Sequence, residues 1–540
     1  MTFKLVLLAL IALESQASRI HIPGDIIIGG LFPVHHRNGS SGCGLINGER
    51  GVQRLEAMLF ALDRINQDPS LLNGISLGAT ILDTCSSREH AVRQALHFVQ
   101  PPIDTGSFKC ADGSVPNFSE NRQQITGVIG ASYSEVSQKV ASFLRLFQVP
   151  QVSPASTASS LGDKTRYDLF ARTVPPDTLQ AHVMADIVHH FNWTYVSLVT
   201  SEGLYGDSGM TSFLRDARNG NYCVAVLETV PRLATEATFD GIIHSLLSRP
   251  QARVVALFTR GDDTRGLLAA AKRANATGHL VWLASDGWGK QTQIVEGLED
   301  QADGAITIEL GSSTIPEFDE YMKNLTVLTN QRNPWFREYW EDVFQCSINA
   351  SAQENSTLPP CAESLRLDES SGYRQDAKTQ FVIDAVYAFA HALDAASKQL
   401  CQGQNESYCE ALRDLDGETL YMNYLLNATF QDIAGSTVHF DKLRDGLVPY
   451  RIYNYRRLSN SSEYDYVPVG RWEPYTLHLD SEKVRWSGSA EGSPVPASVC
   501  SSDCSSGYIK LLSPGNKCCW MCYACGPLRR VVDEFTCSND

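Results

Sequence analysis

Two arginines one helical turn apart, Arg50 and Arg54, open the segment GERGVQRLEAMLFALDRIN (48–66). Leu55, Met58, Leu59 and Leu62 give that segment the apolar stripe of a helix. Both guanidinium groups then share a face at the helix N-terminus, where the macrodipole disfavours cations. Paired arginines placed there suit the capture of an anion, because each planar fork can hold a carboxylate by two hydrogen bonds. A third cation, Lys378, falls on the apolar stripe of another helical pattern, 374–399. A lysine at such a position also has a plainer reading, with a packed stem and an ammonium reaching water.

Four strand-to-helix junctions carry further polar groups. GASYSEVS presents Ser132 and Ser134, and ASTASSL presents Ala155, Ser156 and Thr157. TSEGLYGDSG centres on Tyr205, and SDGWG carries Asp286. Hydroxyls and the free N–H groups of helix N-termini suit a carboxylate, while Asp286 and Tyr205 suit an ammonium. Singly, each serine, threonine or aspartate reads as a helix N-cap. As a set they fit an amino acid, with Arg50, Arg54 and Lys378 left for a second, distal carboxylate. Spacing alone does not make these groups converge.

Positioning them requires short buried strands followed by helices. Strand-like runs at 26–29, 125–129, 195–199, 254–258 and 280–284 alternate with helical patterns at 135–147, 180–191 and 265–274. That alternation predicts an α/β fold of parallel sheets covered by helices. No nucleotide-binding glycine motif, G-x-S-x-G elbow or H-E-x-x-H metal motif is present, so no cofactor, metal or catalytic residue is expected. An acid–base pair of Asp177 and Asp286 would be the only enzymatic reading, and the chain is expected not to be an enzyme.

Composition places the chain outside the cell. Residues 1–18 read as a secretory signal peptide, an apolar run after Lys4 ending in small residues. No later stretch is long and apolar enough to anchor in a bilayer. Asn-x-Ser/Thr triplets begin at Asn38, Asn117, Asn192, Asn275, Asn324, Asn349, Asn355, Asn405, Asn427 and Asn460, the pattern of a glycosylated surface. The net charge of −16 argues against nucleic acid or an anionic membrane as partner. Fifteen cysteines indicate disulfides, and their odd number points to a bridge between chains. Seven of them crowd 500–537, where zinc is the rival to a stapled module; export and the lack of histidine there favour disulfides.

The stretches GLFPVH, RGVQRLEAMLFALDRIN, GASYSEVS, LRLFQVPQVSPAST, FARTVPPD, FNWTYVS, ASDGWG, RNPWF, AVYAFAHAL and CCWMC closely resemble metabotropic glutamate receptors, family C G-protein-coupled receptors, with the group II type nearest. The resemblance covers about 25–537 and implies a two-lobed Venus-flytrap module, similar to periplasmic binding proteins, plus a disulfide-rich module. Implied boundaries are 19–489 for the ligand-binding domain, with lobe 1 at about 19–185 and 327–450, and lobe 2 at about 186–326 and 451–489. A truncated cysteine-rich domain follows at 490–540. By the same resemblance Ser134 and Thr157 would hold the α-carboxylate of L-glutamate. Asp177, Tyr205, Asp286 and the Ala155/Thr157 region would hold its ammonium, and Arg50, Arg54 and Lys378 its γ-carboxylate.

Implied disulfides are Cys43–Cys85, Cys223–Cys518, Cys346–Cys361, Cys401–Cys409, Cys500–Cys519, Cys504–Cys522 and Cys525–Cys537. Cys110 is left to join two protomers as a homodimer, assisted by apolar lobe-1 helices around 141–147. Pro154 and Leu204 depart from the family pattern beside the pocket. The resemblance implies an extracellular glutamate-binding domain that signals through closure and dimer rearrangement. G protein would be reached only through a membrane bundle that this chain lacks. The alternative is a soluble, secreted isoform, ending at Asp540, that binds glutamate or a related amino acid without signalling.

Overall fold

Runs such as IIIGGLF and VVALF are apolar on every residue, as a strand must be when helices cover both faces of its sheet. The computed structural model describes residues 19–38, 42–99, 125–348, 358–403, 407–458, 462–473, 476–487, 494–526 and 529–538. The leader segment, Cys110, Asn117, Asn349, Asn355, Asn405 and Asn460 lie outside them. Asn38, Asn192, Asn275, Asn324 and Asn427 are all exposed. Among the described residues no helix is long and apolar enough to cross a membrane.

The chain divides into two units. Unit 1 comprises 1–157, 161–174 and 312–447. Its sheet uses β1 (Arg19–Ile22), β2 (Ile26–Phe32), β3 (Leu77–Asp83), β4 (Ile125–Gly130), β5 (Gln151–Ser153) and β6 (Phe170–Arg172), in the order β1-β3-β2-β4-β5-β6. All pairs are parallel except the β1 edge. Helices α1 (Arg54–Gln67) and the long Thr379–Leu400 share the largest apolar core, through residues such as Leu55, Met58, Leu62, Val382, Val386 and Phe389. Gly127 on β4 lets the long helix approach: a Cβ there would lie 2.3 Å from the Phe389 ring. Helix α2 (Ser134–Leu144) packs on the other face through Val136, Val140 and Leu144.

Unit 2 comprises 158–160, 175–311 and 448–540. Its sheet uses β7 (Tyr195–Ser201), β8 (Cys223–Val230), β9 (Val254–Phe258), β10 (Val281–Ala284), β11 (Ile306–Leu310), β12 (Tyr450–Arg457), β13 (Tyr464–Glu473) and β14 (Thr476–Leu479), in the order β8-β7-β9-β10-β11-β12-β13-β14. The first five are parallel and the last three add an antiparallel extension.

Two expectations on boundaries change. Helix Asp177–His190 belongs to unit 2 rather than to the first lobe, and helix Pro316–Asn324 belongs to unit 1. Trp472 on β13 donates to Asp186 Oδ2 of the former at 2.7 Å. Phe318 of the latter packs edge-on to Phe60 of α1, with ring centroids 5.6 Å apart. The cysteine-rich segment clusters with unit 2. Cys223 on β8 is bonded to Cys518, and Ser498 O accepts from Thr194 N–H and Tyr195 N–H at 3.0 Å. The structure contains the pairs Cys43–Cys85, Cys223–Cys518, Cys346–Cys361, Cys401–Cys409, Cys500–Cys519, Cys504–Cys522 and Cys525–Cys537. The module needs such staples, since Leu511, Met521, Tyr523 and Phe535 are all exposed rather than cored.

Candidate ligand-binding residues in the two units

The helix expected at 48–66 runs unbroken but changes its winding. A π-helical turn, Gly48–Gln53, precedes α1, and Asn47 caps it by accepting from Arg50 N–H. Wider winding of this kind is common where function needs a local distortion. Gly51 permits it: a Cβ there would lie 2.3 Å from Pro33 O. Arg54 is therefore the first residue of α1 and only 3% exposed, with Arg50 half-buried one turn before. Lys378 also sits differently from expectation. The long helix begins at Thr379, so Lys378 is its N-cap residue and not part of the apolar stripe.

A carboxylate that sequence reasoning missed joins these cations. Arg54 donates from Nε and Nη2 to the two Asp376 oxygens at 2.8 and 3.1 Å, and Lys378 N–H donates to Asp376 Oδ2 at 3.1 Å. Gln53 fixes the segment by accepting from Asp376 N–H at 2.9 Å and donating to Arg374 O at 3.0 Å. Burial by itself would raise the Asp376 carboxyl. The Arg54 ion pair, helped by Arg50 and Lys378, instead holds it below the usual carboxylate range. Glu49 shows the opposite balance: burial, with Asp376 nearby, pushes its carboxyl up against the pull of Arg50, Arg54 and Arg374. The cluster is thus three expected cations around a resident anion, and a tally of the site's charge that omits Asp376 is one unit too positive.

The same unit carries the hydroxyl-rich turns. Ser132 is buried, and its Oγ has no hydrogen-bond partner among the described residues. Ser134 is the buried first residue of α2. Ala155 and Thr157 are buried in the turn after β5. Ser156, expected among the ligand contacts, is used up by the fold. Its Oγ lies 2.7 Å from Ser137 Oγ, its N–H donates to Ser153 Oγ at 3.0 Å, and its carbonyl accepts from Arg172 Nη1 at 3.1 Å. Arg172 in turn grips Asp445 through Nε and Nη2 at 2.7 and 3.1 Å, with both side chains essentially inaccessible. Sequence offered no sign of that pair, whose members stand far apart in the chain.

In unit 2, Tyr205 Oη stands 2.9 Å from Asp286 Oδ1 and 2.7 Å from Ser285 Oγ, and it accepts from Gly287 N–H at 3.1 Å. Gln180 Nε2 donates to the same Asp286 oxygen at 2.8 Å. Burial, reinforced by Asp286 and Asp177, pushes the Tyr205 phenol far above its usual range and keeps it an O–H donor. Asp177 opens the helix that carries Gln180 one turn later and is fully buried. Gln180 was missed. The signal available was its place on the same helical face as Asp177.

These groups could hold an acid, in unit 1, and an amine, in unit 2. The model for the receptor family ligand binding region matches residues 53–457. The chain belongs to that family. It is 48% identical over 565 residues to the metabotropic glutamate receptor of Drosophila melanogaster. It is 45% identical over 526 residues to metabotropic glutamate receptor 4 of Mus musculus and of Rattus norvegicus. Each comparison covers 96% of this chain and 57% of the relative, so the chain spans little more than half the length of these receptors. Its family membership thus accounts for a ligand-binding region; the relatives it resembles are receptors, not enzymes.

Proposed function

We propose that the chain binds L-glutamate at the extracellular face of the plasma membrane, as the ligand-binding part of a receptor of the metabotropic glutamate type. The observation that carries the reading is the ion pair of Arg54 with Asp376 at one buried point in unit 1, with the charges of Arg50 and Lys378 in electrostatic reach of it. The γ-carboxylate would be held there. Ser134, Thr157 and the buried Ser132 hydroxyl of the same unit would hold the α-carboxylate. Tyr205, Asp286 and Asp177 of unit 2 would hold the ammonium. A ligand whose carboxylates bind one unit and whose ammonium binds the other would favour a closed arrangement over an open one, by the difference in its affinity for the two.

Signalling would follow from rearrangement within a homodimer linked through Cys110. Within the segment expected to assist it, Ala141 and Leu144 are spent on the unit's own core, and Leu146, 74% exposed, is the side chain offered outward. Ligand binding without turnover is the expected chemistry. Calorimetric titration of the secreted chain with L-glutamate tests the reading. Saturable binding of one glutamate per chain supports it, and absence of heat at millimolar ligand, with the protein folded, would sink it.

A further inference from the structure

We infer that Asp376 sets the charge that the distal end of the ligand may carry, an inference that rests on the glutamate reading. Four hydrogen bonds build this residue into the cation cluster. Its carboxylate receives two from Arg54 and one from Lys378 N–H, and its own N–H is taken by Gln53. The carboxyl is held below its ordinary range by those cations, so it is ionised wherever the protein is folded near neutral pH. Its side chain is only 12% exposed and that of Arg54 only 4%, so water screens the pair weakly.

Two consequences follow from this geometry. The first concerns direction. A guanidinium has five N–H donors in a fixed plane. Asp376 occupies the Nε–H and one Nη2–H, which leaves the Nη1 edge of Arg54 for any second anion. A ligand carboxylate must therefore approach that edge, and it shares the arginine with a resident carboxylate rather than owning the fork. The second consequence concerns charge. Arg50, Arg54 and Lys378 would present three positive charges to a distal anion, and Asp376 cancels one of them at hydrogen-bond distance. The cluster therefore attracts any distal anion less than the bare trio would, and the reduction is larger for a doubly charged phosphonate than for a singly charged carboxylate. Glu49, whose carboxyl burial pushes toward the neutral form, contributes less of this cancellation. Asp376 is thus a positioning and specificity residue that need not touch the ligand.

The test is a comparison of ligands within each variant. Wild type, Asp376→Asn and Asp376→Glu are titrated by calorimetry with L-glutamine, L-glutamate and the glutamate analogue whose distal carboxylate is replaced by phosphonate. Reading the ratio between ligands removes any loss of folded protein common to all three. In Asp376→Asn the affinity ratio of phosphonate to carboxylate rises by about 10-fold or more, as one added unit of charge at close range in a weakly screened site requires. Asp376→Glu keeps the charge and leaves the ratio within about 3-fold of wild type. A ratio in folded Asp376→Asn that stays within about 2-fold of wild type overturns the inference.

If Asp376→Asn is not secreted, Asp376→Ser takes its place, since it removes the same charge, leaves every ligand-binding cation intact and opens room for a water beside Arg54. The same rise in the phosphonate-to-carboxylate ratio is expected of it, and a ratio within about 2-fold of wild type overturns the inference. Failure of the wild type to bind glutamate would remove the functional reading itself, whereas glutamate binding with an unresponsive ratio would remove only the role of Asp376.

Discussion

The candidate ligand-binding residues of the two units treat buried charge differently. In unit 1, Arg54 is set against Asp376, and Arg172, which bonds the Ser156 carbonyl, against Asp445. Unit 2 surrounds Asp286 with neutral donors, the Gln180 amide and the Tyr205 phenol. The difference has an energetic meaning. Breaking one member of a buried ion pair strands its partner in a poor solvent, which costs more than losing a neutral hydrogen bond. The arginine–carboxylate pairs Arg54–Asp376 and Arg172–Asp445 should therefore be brittle to charge deletion, and the Tyr205–Asp286 group should lose affinity in smaller steps.

The largest effect is expected at Arg172. Arg172→Met strands the inaccessible Asp445 carboxylate and releases the Ser156 carbonyl, at a cost of about 3–5 kcal/mol. Chemical denaturation of the purified protein would show the fall, and the Arg172→Met/Asp445→Leu double variant should recover much of it. A double variant no more stable than the single one would break the contrast between the units.

Arg54→Ala acts on both stability and binding. It leaves Asp376 unpaired, and it removes a charged partner of the proposed γ-carboxylate, so glutamate affinity should fall by about 30-fold to several thousand-fold. Tyr205→Phe in unit 2 removes a hydroxyl next to Asp286 and no charge. A loss of about 5- to 30-fold is expected by the same titration. Equal losses from the two variants would contradict the contrast.

Alkaline pH should weaken unit 1 through a different pair. His35 donates or shares protons with Asp83 at 2.5 Å and Glu338 at 3.1 Å. Burial opposes its protonation, but the two carboxylates win and raise it from 6.5 to about 9. A raised folded value means the stabilisation is fully present below 6.5 and is lost as pH climbs through about 9. Melting temperature should decline across that window in wild type and decline less in His35→Gln. The smallest effect is expected in unit 2 at the exposed Arg471–Glu473 pair, where Arg471→Ala should change stability by less than about 0.5 kcal/mol.

The parallel strands were legible because burial on both faces writes an unbroken apolar run. The stretch 254–258 is read from its residues and is Val254–Phe258 in the structure. The strand Leu77–Asp83 was not seen, since LGATILD interrupts its apolar residues with glycine and threonine. Nor were the antiparallel strands Tyr450–Arg457, Tyr464–Glu473 and Thr476–Leu479, where charged residues such as Arg451, Arg456 and Arg471 break the apolar runs. The cations Arg50, Arg54 and Lys378 announced themselves by sitting where helix physics disfavours or does not need them. Asp376 did not, because an aspartate just ahead of a helix reads as an ordinary cap. The Arg172–Asp445 pair was invisible for another reason. Its members come from distant segments that only the fold brings close.

The central claim is that the unit 1 cations select a ligand by its distal carboxylate. Parallel titration of the purified chain with L-glutamate and L-glutamine tests it most directly, since the two differ only at that end. The account predicts that glutamate binds at least about 100-fold more tightly, and that Lys378→Ala narrows the gap. Equal affinity for the two amino acids in the folded wild-type protein would contradict it.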